Sequence, residues 1–204
     1  MLWNAPNLLT LLRIVLIPLF VAAYFWPARW ANELATMLFI VAGVTDWLDG
    51  YLARRLQQNS PFGAFLDPVA DKLMVAAALI LLVADWRVTQ LVLDQRLFTV
   101  MVLVILGREI AVSALREWMA EVGQRSHVAV SAVGKFKTTS QMIAIGMLLW
   151  REPVGPVPIF RVGELLLYVA AILTLWSMLV YLRAAWPNLI RPGKTGAKGP
   201  PGTA

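Results

Sequence analysis

Four carboxylates lie between positions 46 and 71 in the pattern Asp46-x2-Asp49-Gly50-x2-Ala53-Arg54-x8-Gly63-x3-Asp67-x3-Asp71. Asp46 and Asp49 are spaced i,i+3 and Asp67 and Asp71 i,i+4, so on helices each pair presents its carboxylates on one face, one turn apart. Two such helices could aim oxygen ligands at a shared point. Hard divalent cations such as Mg2+ take carboxylate oxygens together with waters and substrate phosphates, and the pattern therefore points to a metal-dependent site for a phosphate ester. A helix cap or a lysine partner explains a single Asp. Neither explains four of the chain's 12 acidic residues in one window with Gly50 and Gly63 interleaved.

The surroundings make the cluster more demanding. The chain has 204 residues, of which 59% are hydrophobic and 15% charged, with nine tryptophans, the composition of a membrane protein. A carboxylate at the bilayer centre costs about 2.5–3.5 kcal/mol even on insertion scales, so four at membrane depth require cationic compensation. The net charge of +6 suits anionic headgroups and phosphorylated substrates, and no basic strip with interleaved aromatics suggests nucleic acid. The absence of cysteine excludes disulfides, thiolate metal sites and a cysteine nucleophile.

Positioning such a cluster falls to long apolar helices. Apolar runs predict six, over about 8–26, 33–57, 63–84, 95–121, 130–150 and 160–184, each near or above the ~20 residues that cross hydrocarbon. The expected fold class is therefore all-α and integral to the membrane: a six-transmembrane-helix bundle with an N-terminal amphipathic, juxtamembrane segment. The N-terminus lacks the basic n-region of a secretory signal, so the first span is expected to be retained. Of the Lys and Arg residues, only Arg29, Arg87, Arg96, Arg151 and Arg161 fall on the far side of this arrangement, which predicts both termini inside. The aspartates then sit near the cytoplasmic ends of the second and third helices. Residues 1–190 form one domain, and 191–204, rich in Gly and Pro with no apolar face, are expected to be a disordered cytoplasmic tail.

The second half adds a basic set, Arg108, Arg116, Lys135 and Lys137. Arg108 lies well inside an apolar run and needs either a buried ion pair or an anion pocket, and the pocket is favoured because a phosphate-bearing acceptor needs cations of its own. His127 is the only histidine and is read as a loop residue rather than a ligand.

The pattern from Asp46 to Asp71 resembles the motif of the CDP-alcohol phosphatidyltransferase family, with every fixed position filled. Further segments, Pro6-Asn7-Leu8-Leu9-Thr10-Leu11-Leu12-Arg13, Arg108-Glu109, Ala114-Leu115-Arg116-Glu117-Trp118 and Gly134-Lys135-x-Lys137-Thr138, are similar to its bacterial branch that joins CDP-diacylglycerol to glycerol 3-phosphate. The resemblance implies that Asp46, Asp49, Asp67 and Asp71 hold two Mg2+ (or Mn2+) ions and that Asp71 is also the base that takes the acceptor's proton. It implies a CDP-diacylglycerol site at Gly50, Arg54, Gly63, Asn7 and Thr10, and a glycerol 3-phosphate site at Arg108, Arg116, Lys135 and Lys137. Close helix packing for the glycines, a snorkelling role for Arg54, and an N-cap role for Asn7 and Thr10 remain the structural alternatives. A homodimer in the bacterial cytoplasmic membrane, among membrane lipids and with its active site facing the cytoplasm, is implied as well. Two other readings stay open. One keeps the motif with another acceptor, as in cardiolipin or phosphatidylinositol-phosphate synthesis; the other is a divalent-cation transporter.

Overall fold

The computed structural model describes residues 5–56, 61–121 and 132–190. Among these residues every regular element is an α-helix: α1 (Ala5–Tyr24), α2 (Ala31–Leu56), α3 (Pro61–Ala84), α4 (Trp86–Leu91), α5 (Gln95–Glu121), α6 (Ala132–Trp150) and α7 (Ile159–Ile190). Six of these coincide within a few residues with the apolar runs, because a continuous apolar run satisfies its backbone groups internally only as a helix. Three features differ from expectation. No separate segment precedes the first helix in the described part, since α1 runs unbroken from Ala5 and continues through Pro18. The break expected between 85 and 94 contains the six-residue α4, begun by Asp85, whose side chain accepts a hydrogen bond from the Arg87 N–H. Finally, α7 continues past 184 to Ile190. The tail at 191–204 and His127 lie outside the described residues.

Two stretches, Gln95–Met119 and Ile159–Val180, are long and apolar enough to cross a membrane, and Leu8–Tyr24 is a shorter apolar stretch. Their outward faces carry apolar stripes at helical spacing: Leu8, Leu12, Val15 and Leu19 on α1, and Leu165, Val169, Ile172, Trp176 and Leu179 on α7. Surfaces of this kind belong against lipid tails. Inside, Phe20 packs on Phe39 with ring centroids 6.2 Å apart. Leu79 and Leu82 of α3, Phe98 and Ile105 of α5, and Ile145 and Leu148 of α6 complete a continuous core.

Polar side chains gather at the two ends of this core. At one end, where α1, α3 and α6 finish, Arg151 Nη2 donates to the Tyr24 hydroxyl (2.6 Å) and to Asp85 Oδ2 (2.8 Å). Arg151 has φ 63°, a left-handed backbone that ends α6. The strain of a non-glycine residue there is offset by the contacts its side chain makes. Nearby, Glu164 of α7 is fully buried and accepts from the Leu93 N–H, Tyr168 Oη and Arg161 Nη1, fastening the approach to α5 onto α7. The acidic cluster read from the sequence sits at the other end, more than a dozen helical residues away on α3.

Burial pushes the Asp85 carboxyl up, but hydrogen bonds from Arg87 and the charge of Arg151 outweigh it and hold the group below the usual carboxylate range. A depressed folded-state value means that this stabilisation is complete above the unfolded-state value of about 3.9 and is lost as pH falls through the folded one. Arg151→Ala removes the buried partner of Asp85 and leaves it to Arg87 and the Tyr24 hydroxyl, which should lower stability by about 1.5–3 kcal/mol, measured by thermal unfolding in detergent. The stability gap between wild type and Asp85→Asn should close on acidification below about pH 4. A gap independent of pH would show that charge at Asp85 is not what binds this end together.

Candidate active site

The site grows from the faces that α1 and α2 turn toward each other. On α1 the buried positions are Thr10, Arg13, Leu16, Phe20 and Tyr24, a stripe at helical spacing, so Arg13 points into the bundle with its neighbours. On α2 the buried stripe is Ala31, Ala35, Phe39, Ala42, Thr45 and Asp49. Its small residues let the two helices approach closely. Arg13 reaches across this seam, with Nη1 2.6 Å from Asp46 Oδ1 and Nη2 2.5 Å from Asp49 Oδ2. The arginine is only 1% exposed, and Asp49 is nearly as deep, whereas the Asp46 side chain is 44% exposed. The i,i+3 spacing of the two carboxylates is what allows one guanidinium to grip both.

Asp71 enters from α3 and lines, together with Asp46, a cavity of about 710 Å³. Asp46, Arg13, Glu109 and Lys72 are the charged groups whose fields reach it. With Asp71 itself, three carboxylates stand against the two cations Arg13 and Lys72 among the described residues, and the carboxylates of Asp46 and Asp71 line the cavity. That donor chemistry fits a hard divalent cation. Among the described residues, however, no three acidic side chains stand close enough to grip one ion. Asp49 gives its Oδ2 to Arg13, and the side chain of Asp67 lies outside the described residues.

From the two carboxylates the cavity continues as a groove between α2 and α6. Its walls are Thr36, Phe39, Ile40, Gly43, Val44 and Trp47 on one side and Thr138, Thr139, Met142, Ile143, Gly146, Met147 and Trp150 on the other, with Val154 and Ile159 at the far end. Ile40, Val44, Trp47 and Ile143 are exposed, so the groove opens sideways, toward the surroundings of the helices. A site of this volume, mostly apolar with its charged groups at one end, suits an amphiphile.

The remaining predicted residues fall as follows. Thr10 is buried more than a turn inside α1, which removes the N-cap alternative for it, and Asn7 stands within the first turns of that helix. Gly50 lies on α2, one residue past Asp49. Arg108 Nη1 pairs with Glu109 Oε1 (2.5 Å), and Nη2 lies 3.4 Å from Ser177 Oγ of α7. The ion pair is thus the geometry seen, and Arg108 is not part of the groove wall. The surroundings of Gly63 and the side chains of Asn7, Arg54, Arg116, Lys135 and Lys137 lie outside the described residues. Sequence reasoning placed Arg13 in the 6–13 segment and gave it no role in the site. The signal for its real position was available: Thr10, Arg13, Leu16 and Phe20 share one helical face, and an arginine on a core-facing stripe demands carboxylates.

Comparison with known proteins adds an independent line. The CDP-alcohol phosphatidyltransferase family matches this chain over residues 3–176. The chain is 52% identical over 191 residues to a CDP-diacylglycerol–glycerol-3-phosphate 3-phosphatidyltransferase of Pectobacterium atrosepticum, covering 93% of this chain and 99% of that protein. It is 50% identical over 188 residues to proteins of the same description from Escherichia coli strain K12 (92% of this chain, 98% of the relative) and Haemophilus influenzae (92% and 96%).

Removing the bridging cation should be felt at both partners. Arg13→Leu takes the buried guanidinium away from Asp46 and Asp49, and should cost about 3–5 kcal/mol of stability in detergent. Adding Asp49→Asn should restore part of that loss, a coupling that a double-mutant cycle reads directly. Additive losses would show that the two groups do not depend on each other.

Proposed function

The chain belongs to the CDP-alcohol phosphatidyltransferase family, and from that premise we propose that it transfers a phosphatidyl group from CDP-diacylglycerol to the primary hydroxyl of glycerol 3-phosphate, releasing CMP. The relatives named above carry that donor and that acceptor in their names and match nearly the whole chain. The observation that carries the reading is the junction of Asp46 and Asp71 with an apolar groove that opens sideways between α2 and α6. Reactive carboxylates at the mouth of a lipid-accessible groove are what a lipid-linked phosphate ester needs.

In the proposed reaction the acceptor hydroxyl gives its proton to Asp71 as its oxygen forms a bond to the phosphorus of the phosphatidyl group. The pyrophosphate bond to CMP breaks, and CMP leaves with the electron pair. Asp46, Asp49, Asp67 and Asp71 would hold two Mg2+ or Mn2+ ions, which when bound would supply positive charge to the pyrophosphate and the departing phosphate. Arg13 holds Asp46 and Asp49 in register for that task. Arg54 takes the pyrophosphate oxygens, and Gly50 and Gly63 let backbone approach the nucleotide beside Asn7 and Thr10. Arg108, Arg116, Lys135 and Lys137 take the phosphate of the acceptor.

The six long helices span the bacterial cytoplasmic membrane with both termini inside, and the carboxylate end faces the cytoplasm, where a water-soluble acceptor and CMP exchange freely. The enzyme acts as a homodimer among membrane lipids, with residues 191–204 as a cytoplasmic tail.

Purified protein supplied with CDP-diacylglycerol, Mg2+ and a panel of alcohols should release CMP fastest with glycerol 3-phosphate; preference for another acceptor reassigns the substrate. Chelation should stop turnover and added Mg2+ restore it, whereas metal flux into vesicles without CMP release would mark a transporter. Asp71→Asn should lower turnover by at least about 100-fold while binding of the liponucleotide persists. Lys135→Ala should raise KM for glycerol 3-phosphate more than for the lipid.

A further inference from the structure

Glycines in membrane helices usually let another helix come close, and Gly163 of α7 does so: a Cβ there would sit 2.7 Å from Met147 Cβ and 3.1 Å from the Ala144 carbonyl oxygen of α6. Gly146, on the same α6, is different. A Cβ at that position would meet nothing within 4 Å, and the residue lines the groove that begins at Asp46 and Asp71. Helix packing does not account for it, and a glycine inside a helix costs about 1 kcal/mol relative to alanine. The space beside it is part of the groove.

The groove has a direction and a length. Contact between Gly43 and the Met142 methyl, 3.0 Å from a Cβ built at Gly43, sets the register of the two walls. Asp46 therefore faces the start of α6 at Thr138 and Thr139, and Thr36 faces its end at Trp150. From Thr138 to Trp150 the α6 wall rises ~18 Å. One leaflet of hydrocarbon is about half of a ~30 Å core, so the groove reaches from the reacting end through the depth of that leaflet. Apart from the threonines and Asp46 and Asp71 its lining is apolar, with Val154 and Ile159 at the far end.

We infer that one acyl chain of the lipid donor lies along the α2–α6 groove, that Gly146 is the position that admits it, and that the wall around Gly146 sets how much chain the site accepts. The inference rests on the donor being the liponucleotide proposed above. It adds a specificity-determining residue remote from the reacting atoms.

The test compares CDP-dipalmitoylglycerol with CDP-dihexanoylglycerol in detergent micelles, reading CMP release. Gly146→Leu places a side chain in the open space and should exclude at least two methylenes from it, predicting an about tenfold higher KM for the dipalmitoyl donor. KM for the dihexanoyl donor and for glycerol 3-phosphate should stay within about twofold of wild type. Ile143→Trp, an exposed position on the same wall, should produce the same split, which guards against a folding defect at Gly146. Variants that treat the two donors alike, whether unchanged or equally impaired, overturn the assignment of the groove. A wild-type protein that releases CMP from neither lipid overturns the assigned reaction instead.

Discussion

A buried guanidinium held by two carboxylates organises this molecule. Arg13 has almost no contact with solvent, and its pairing with Asp46 and Asp49 ties α1 to α2 at one end of the bundle. Stripping water from such ions costs several kcal/mol for each, and their attraction at short range does little more than repay it. The consequence is register rather than net stability. A one-residue change of register between α1 and α2 would turn Arg13 off the face that meets Asp49 and break the pair. The same pairing presents Asp46 at the edge of the seam, where it shares a cavity with Asp71.

That constraint explains how the two ends of the bundle divide their work. At the end carrying Tyr24, Asp85, Arg151 and Glu164 the carboxylates of Asp85 and Glu164 are paired with arginines, and the loops are fastened to the helices that they join. Among the described residues the opposite end sets Asp46, Asp71 and Glu109 against Arg13 and Lys72, and it opens into the groove between α2 and α6. Matched charge serves packing; unmatched oxygen serves binding. Between the two ends runs a core of Phe20, Phe39, Leu79, Leu82 and Ile145, which keeps the polar layers apart and gives α2 and α6 a fixed separation. Gly163 sets the close approach of α7 to α6, while Gly146 on the adjoining turn keeps the groove open, so one residue type serves contact on one helix and vacancy on another.

Much of the fold was legible because apolar runs of about twenty residues leave the backbone few alternatives to helix. The bounds of α2, α3, α5 and α6 follow those runs closely. Helix α4 escaped because six residues carry too little periodicity, and its start depends on the Asp85 cap rather than on a hydrophobic pattern. Arg13 was legible in principle and misjudged in practice. The reading that left it without a role overlooked the stripe it shares with Thr10 and Phe20, which forces it inward.

Residue type and spacing alone determined the helical class, the clustering of Asp46, Asp49, Asp67 and Asp71 on two helices, and the chemistry to which those oxygens are suited. Only the tertiary structure decided that Asp46 and Asp49 share one arginine from a third helix, that Asp71 and not Asp49 lines the cavity with Asp46, and that the far side of α2 meets α6 across a groove. The physical reason is that helical periodicity assigns each side chain to a face, but which faces meet, and whether a gap is left between them, depends on volumes and charges contributed by segments distant in the chain.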